Sequence, residues 1–565
     1  MHTPFTRPLR RLCSIVFALL ATAPGAAHAV TPTVGLVGYD PARSFAGYTL
    51  FSPSRSDTTY LVANDGRLVH SWTGATRPAL SAYLLDDGSV LRTGRDDSNP
   101  TFSGGGSGGL IERIAWDGTV LWSTAFSTPT TLQHHDIEPM PNGNVLVAAW
   151  ELRTHAEAIQ AGRDPALLSS GELWPDTIVE IAPDGPASGQ IVWEWRAWDH
   201  LVQDFDPTKD NHGVVADHPE LIDVNYFATN DDADWLHFNA VDYEPVLDQI
   251  LFSARGTSEI YVIDHSTTTA EAAGHTGGAS GMGGDILYRW GNPEAYDTGS
   301  AADRTLWFQH DPRWIEPGLP GAGNILVFNN GGSRPGGPFS SVDEIVPPVS
   351  GNGGYALTPG AAFEPTAPVW SYVDPVDPTL FFARLVSGAT RLPNGNTLVC
   401  SGPTGTFFEV TPGGETVWEY VNPVGSIGPV AQGDANSVMV FRAERVAAEH
   451  PGLVGRDLSG GPPIETYPPD GDFDDDGDVD ATDWIDFEAC HVTGGVVFPT
   501  CVQADFDHDG AFTCADGAAF ALAWTDPAPA PVLTACATAV PALQAPLLIA
   551  LGMALAGGGA ARLRA

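Results

Sequence analysis

Residues 407–420 read FFEVTPGGETVWEY, an apolar strand, a Pro-Gly-Gly turn and a second strand that carries Trp418. The same phrase stands at 59–72 (TYLVANDGRLVHSW, Trp72), at 111–122 (IERIAWDGTVLW, Trp122) and at 178–195 (IVEIAPDGPASGQIVWEW, Trp193 and Trp195). Insertions split two further copies: IYVIDH at 260–265 resumes at GGDILYRW (Trp290), and VDEIVPP at 342–348 resumes at PVWSYV (Trp370). Apolar alternation on both sides of a Gly-bearing turn specifies a β-hairpin.

A second hairpin phrase lies between these copies, as in IEPMPNGNVLVAAW at 137–150 and TRLPNGNTLVCSG at 390–402. Two hairpins per unit give a four-stranded antiparallel sheet, and a ring of such sheets hides every edge strand behind its neighbour. The span 47–455 allots about 68 residues to each of six units, above the usual 40–50 per propeller blade. The surplus falls in insertions near 151–176, 199–230, 265–283 and 295–306. The expected fold is therefore all-β, a six-bladed β-propeller over 30–455 with its tryptophans packed between blades. GYTLF or NSVMVFRAER is expected to close the ring, and a small helical module follows.

The 565 residues include 69 acidic and 26 basic side chains, a formal charge of −43, with Lys209 the sole lysine. Such a surface repels phosphate backbones, which argues against a nucleic-acid partner, and it offers oxygen ligands to hard cations. Residues 1–29 read as a secretory signal: Arg7, Arg10 and Arg11, an apolar stretch at 14–23, then Ala27-His28-Ala29. The expected location is periplasmic, cell-surface or extracellular. At the other end, 526–565 reads as linker and tail, with an apolar run at 547–561 closed by Arg562 and Arg564. That run is short of the about 20 residues a spanning helix needs. It resembles bacterial C-terminal sorting tails that open on Val-Pro, here Val540-Pro541, and membrane contact is expected only there. Beyond Cys13 in the signal, five cysteines remain; the spacing allows a Cys490–Cys501 disulfide, and the odd count leaves one thiol over.

After a Pro-rich linker at 456–469, residues 470–525 hold two near-identical loops. The first places Asp472, Asp474, Asp476 and Asp483 at positions 1, 3, 5 and 12, with Gly477 at 6 and Val479 at 8. The second repeats this with Asp505, Asp507, Asp509, Asp516, Gly510 and Phe512. Carboxylates at that spacing around a turn glycine suit Ca²⁺. Asp in place of Glu at position 12, in two copies, resembles a dockerin type I module. That resemblance implies structural Ca²⁺ and docking onto a cohesin-like partner.

The histidines form the other pattern. His134-His135-Asp136 precedes the strand NVLVAAW; Asp234-Trp235-Leu236-His237-Phe238-Asn239 precedes ILFSAR, which ends in Arg255; Gln309-His310-Asp311 precedes NILVFNNG. All stand just ahead of the second hairpin of their units, so they are expected at one end of a common axis. Corresponding places elsewhere hold Ser81 and Ser387, so packing does not demand histidine there. Three imidazoles on zinc is one reading, weakened by the cationic Arg255.

The phrases LQHHDIEPMPNGNVLV, DWLHFNAVDY with ILFSAR, FQHDPRW with NILVFNNG, and SGATRLPNGNTLV resemble those of the bacterial arylsulfotransferases over most of 35–455. The resemblance implies a six-bladed propeller that moves a sulfuryl group from one phenolic sulfate to another phenol through a sulfated histidine, with no nucleotide donor and no cofactor for the transfer. Carried over by motif, it implies His310 as nucleophile, His237 as acid/base and Arg255 as sulfate clamp. One of His134 and His135 would be a further sulfate contact, and Asn239 would bind sulfuryl oxygens. Family members often carry an N-terminal β domain; about 17 residues separate Val30 from the first repeat strand here.

These residue types suit the chemistry. Sulfuryl transfer resembles phosphoryl transfer, with charge spread over peripheral oxygens and in-line entering and leaving atoms, so positioning and electrostatics dominate. Trp235, Phe238, Trp307, Phe308 and Trp314 are candidates for walls around an aromatic substrate. Two other readings use the same residues. One is a non-catalytic propeller that binds sulfated or aromatic ligands and is displayed by the calcium module. The other is a metal-dependent hydrolase on the histidine trio.

Overall fold

The computed structural model describes residues 32–226, 233–351, 353–466, 471–473, 478–492, 504, 506 and 513–533. The signal segment 1–29, the tail 547–561, and Asp474, Asp476, Asp505, Asp507 and Asp509 lie outside the described residues. The fold is mostly β. Six antiparallel sheets form a ring, and each unit of the sequence repeat is one blade: 78–125, 131–196, 238–290, 310–372, 388–421 and 440–447 with 47–73, here blades 1 to 6.

Both candidates for ring closure take part in it. Val440–Ala447 is the inner strand of blade 6 and pairs with Gly47–Pro53, so strands from the two ends of the ring share one sheet. Gly35–Tyr39 adds a fifth strand to blade 5 by pairing with Thr416–Val421. Cooperative closure of this kind removes the free edges an open sheet presents. Part of the 456–469 segment lies along blade 6, where Gly461 N–H donates to the Leu68 carbonyl at 2.7 Å.

The repeating tryptophans seal the blade interfaces. Trp72, Trp195 and Trp418 are fully buried, Trp122, Trp193 and Trp290 nearly so, and Trp370 is half-buried. Trp122 packs with Ile137 and Val147 of the next blade, and Trp418 with Phe51 and Val440. Five of these indoles also donate Nε1–H forward to a carbonyl of the following blade. Trp122 reaches Ser188 (2.8 Å), Trp195 reaches Gly284 (2.7 Å), and Trp290 reaches Pro365 (2.6 Å). Trp370 reaches Pro412 (3.0 Å), and Trp418 reaches Asn64 (2.8 Å). Each indole thus buries a large apolar body and still satisfies its one donor. No helix among the described residues is long and apolar enough to cross a membrane.

Beyond the ring, helices Ala481–Val492 and Cys514–Ala523 pack over a small core of Phe473, Val479, Phe487, Phe520 and Leu533. Cys490 and Cys514 are each disulfide-bonded, and Cys501, the expected partner of Cys490, lies outside the described residues. Cys400 is a free, buried thiol in blade 5.

Candidate active site

The inner strands of blades 2, 3 and 4 are Thr131–Pro139, Phe238–Glu244 and His310–Trp314, and each suffers a register shift against its neighbour near its start. A bulge inserts a residue, bends the strand and re-aims side chains. The left-handed backbone at His135 (φ 50°), His237 (55°) and Asp311 (51°) belongs to these irregular ends. Regular strands would alternate their side chains between faces; the bulges let adjacent residues such as His134 and His135 serve one cluster.

His310 is buried, and its tautomer follows from its neighbours. The Asn330 amide Nδ2 donates to the carbonyls of Ala383 (2.7 Å) and Val386 (3.0 Å), which leaves Asn330 Oδ1 facing His310 Nδ1 at 2.7 Å. Nδ1 therefore carries the proton. Nε2 keeps its lone pair and accepts from Val386 N–H at 3.1 Å. Burial, then the Arg255 guanidinium, holds the His310 pKa well below the usual imidazole value. Val386 itself sits at φ 47°, a strained conformation for a β-branched residue.

His237 Nδ1 lies 2.5 Å from Asp234 Oδ2, and the other oxygen of Asp234 accepts from Trp150 Nε1–H at 2.8 Å. This carboxylate holds the ring much as the third member of a catalytic triad holds its histidine. The rings of His237 and His135 approach to 4.5 Å between centroids. His134, by contrast, stacks on Trp150 at 4.2 Å, with Nε2 2.9 Å from Asp176 Oδ1 and Nδ1 2.9 Å from His135 Nδ1. His135 is thus the member of the pair beside the other imidazoles, and His134 supports it from behind. His135 is also held well below the usual imidazole pKa, by burial first and then by His237, His134, His310 and Arg255.

Arg255 follows the second strand of blade 3, as Asn330 follows that of blade 4. Its guanidinium lies over the Phe308 ring at 5.1 Å and forms no salt bridge with any described residue. A half-buried guanidinium that forms no ion pair with a described residue suits a site that receives an anion. Asn239 is buried and donates Nδ2–H to the Gln309 carbonyl at 2.8 Å, which ties blade 3 to the residue before His310.

Below the imidazoles a charged network fills the axis. Arg442 of the closing strand pairs with Asp136 (2.7 Å) and Asp311 (3.3 Å), the residues that follow His135 and His310. Arg313 joins Asp311 (2.9 Å) and Glu444. The other end of the axis holds a cavity of about 210 Å³ lined in part by Glu138, Asp242, Glu316 and Trp314. Of the candidate aromatic walls, Trp235 and Phe238 belong to the blade 2–3 core, and Trp314 faces that opposite cavity. Only Phe308 and Trp307 are half-buried near Arg255 and Arg304.

The three-histidine zinc reading does not fit this geometry. His310 engages both ring nitrogens with Asn330 and Val386, and His134 faces Asp176. Among the described residues, the groups whose ligand atoms gather closely enough for an ion lie elsewhere: His200, His275 and Asp285, and Asp478, Asp480 and Asp483. In the second group, Asp483 accepts from Phe473 N–H (2.5 Å) and Asp480 N–H (2.8 Å). Asp516 repeats this in the second loop, with Phe506 N–H (2.8 Å) and Thr513 N–H (2.6 Å). Of the three carboxylates in that second group only Asp483 belongs to the expected ligand set.

Sequence reading missed Asn330, Asp234 and Asp176 as partners of the histidines. Asp234 stands inside the quoted motif three residues before His237, and Asn330 aligns with Arg255 at the end of a second strand, so both left a signal in the repeat. Asp176 left none, because only the fold brings it to His134.

The six-bladed propeller thus gathers the imidazoles of His135, His237 and His310 and the Arg255 guanidinium at one axial mouth. The chain belongs to the arylsulfotransferase (ASST) family, whose sequence model matches residues 110–424. Membership assigns it aryl-sulfate transfer as a general activity. No curated protein matches the chain. Among solved structures it is similar to a protein of unknown function from Bacteroides caccae (13% identity, 71% of this chain and 99% of that chain, TM-score 0.38). It is also similar to virginiamycin B lyase from Staphylococcus aureus (12% identity, 70% of this chain and 89% of that chain, TM-score 0.31).

Proposed function

We propose that this protein transfers a sulfuryl group from a phenolic sulfate ester to a phenolic acceptor through a sulfohistidine on His310, with no nucleotide donor. The observation that carries the reading is the fixed tautomer of His310, whose Nε2 lone pair stands in a cluster with the Arg255 charge. Nε2 attacks sulfur as the S–O bond to the phenol breaks, and the Val386 N–H is released from Nε2 as the N–S bond forms. Arg255 offers its planar fork of donors to the sulfuryl oxygens. His237, oriented by Asp234, gives a proton to the departing phenolate and later takes one from the incoming phenol, whose oxygen attacks sulfur and frees His310. His135, whose Nδ1 lies 2.9 Å from His134 Nδ1 and whose ring lies beside His237, is the further contact for the sulfuryl oxygens. Asn239 acts by positioning Gln309 and His310. Phe308, beneath Arg255, supports stacking of the aryl ring.

Asp472, Asp483 and Asp516, with the loop partners Asp474, Asp476, Asp505, Asp507 and Asp509, would hold two structural Ca²⁺ ions in a dockerin-like module. The signal and tail give the propeller an exported, surface-displayed setting, and the module would dock on a cohesin-like partner.

The test is transfer from p-nitrophenyl sulfate to phenol without nucleotide, followed by mass spectrometry of donor-treated protein. A sulfuryl adduct on His310, absent in His310→Ala along with turnover, supports the reading. Full activity in His310→Ala removes the covalent carrier, and ligand-induced thermal stabilisation without turnover leaves a binding propeller instead.

A further inference from the structure

His200 follows the last strand of blade 2, and its Nε2 lies 2.8 Å from the Ala272 carbonyl oxygen. A carbonyl only accepts, so Nε2 carries a proton, and in the neutral ring Nδ1 holds the lone pair. That Nδ1 points at Asp285 Oδ1 from 2.9 Å, and the same oxygen lies 2.7 Å from His275 Nδ1. Two imidazole nitrogens thus converge on one carboxylate oxygen, and the three ligand atoms lie within 4.8 Å of one another. A lone pair facing a carboxylate requires a positive charge between them, either a second proton or a cation.

The surroundings favour the cation. A metal-bound histidine characteristically donates its other N–H to a backbone carbonyl, which fixes the tautomer and ring orientation. His200 is held rigidly, stacked on Trp195 at 5.4 Å and 5° between planes. Trp195 donates Nε1–H to the Gly284 carbonyl, next to Asp285. A Cβ at Gly284 would come within 2.0 Å of the Ala272 oxygen and 2.7 Å of His200 Nε2, so only glycine lets this strand of chain pass. His275 arrives from the glycine-rich insertion with its side chain 60% exposed, as the ligand that closes the site.

We propose that His200, His275 and Asp285 bind a borderline divalent cation of the zinc class, with water in the fourth position. Two nitrogens and one oxygen select Zn²⁺ over Ca²⁺ or Mg²⁺, which prefer all-oxygen sites. The ion ties the insertion between Asp264 and Tyr288 to the exit of blade 2, on the outer boundary of blades 2 and 3 and apart from the axial imidazoles. This site is independent of the sulfuryl-transfer reading.

The experiment uses full-length protein stripped with a chelator, then titrated with Zn²⁺ and, separately, with Co²⁺, in excess Ca²⁺ to saturate the acidic loops. Wild type is expected to retain Zn²⁺ at this site, to show visible Co²⁺ ligand-field absorption, and to unfold at higher temperature with Zn²⁺. His275→Ala, which alters an exposed side chain, and the isosteric Asp285→Asn are each expected to weaken Zn²⁺ binding more than about tenfold and to abolish the thermal shift. Transfer activity of His275→Ala should stay within about twofold of wild type. Equal zinc uptake by wild type and His275→Ala overturns the proposal, as does loss of the zinc in His310→Ala instead. Absence of zinc from wild type overturns it too, and leaves a hydrogen bond between His200 and Asp285 in place of the ion.

Discussion

His310 Nδ1 and Asn330 Oδ1 lie 2.7 Å apart, and the two carbonyls that occupy the Asn330 amide nitrogen leave that oxygen no other orientation. The pair reaches across two adjacent strands of blade 4, from the start of the inner one to the end of the second. It sets which nitrogen of the ring carries the proton and which keeps its lone pair.

Asn330→Ala should therefore lower kcat by about 10²-fold, the scale on which small misplacements of a reacting group act, while the KM for the donor changes little. Single-turnover release of nitrophenol measures this. A large rise in KM with kcat intact would contradict a role in aiming His310.

Asp234→Asn should unsettle the His237 tautomer. With phenyl sulfate, whose phenolate leaves poorly without a proton, the loss should be about 10²–10⁴-fold. With p-nitrophenyl sulfate, whose leaving group needs less help, the loss should be markedly smaller. Equal losses with both donors would sink the acid/base assignment of His237.

The pH profile follows from burial. An imidazole attacks only when neutral, so rate is lost as pH falls through the His310 pKa in the fold. Burial and Arg255 hold that value well below the ordinary histidine value of about 6.5, so the acid limb of kcat/KM should lie below about pH 6.5. An Arg255→Gln variant, lacking the nearby charge, should move the limb upward while losing about 10²–10³-fold in rate. A limb at or above pH 6.5 in wild type would contradict this account.

Trp418 is fully buried between blades 5 and 6 and bonded to the Asn64 carbonyl. Trp418→Ala should cost about 3–5 kcal/mol, read from the shift in denaturant midpoint, since it opens a cavity and leaves that carbonyl unpaired. A shift below about 1 kcal/mol would mean that the blade interface does not depend on this ring.

For the C-terminal loops, calorimetric titration with Ca²⁺ should give two equivalents per chain, and Asp483→Ala and Asp516→Ala should each remove one. Undiminished binding in both variants would place the ions elsewhere.

The ring was legible in the sequence because each blade repeats the same hairpin around Trp, and that regularity survives insertions such as the one between His265 and Gly283. The His134-His135 pair, His237 and His310 also stand alike ahead of their second hairpins, and the fold gathers His135, His237 and His310 from these places. What the pattern did not carry was contact between distant segments. Asp176 reaches His134 across blade 2, Val386 reaches His310 from the approach to blade 5, and Arg442 comes from the closing strand. Nor does sequence announce a valine in a left-handed conformation or a bulge that turns His135 rather than His134 toward the cluster. Aromatic residues near the motifs misled for the opposite reason, since Trp235 and Phe238 are large enough to be claimed by the core.

The strand Val440–Ala447 also fixes an order of events. A ribosome reading this chain from its amino end delivers every pocket histidine before it makes Arg442, the counter-charge for Asp136 and Asp311. Until that final ribbon inserts beside Gly47–Pro53, two carboxylates next to His135 and His310 stand with no cation of the closing strand to meet them. A protein truncated just short of residue 440 would therefore lose one strand of blade 6 and, with it, the cation beneath the imidazole cluster, although each histidine of that cluster had been synthesised.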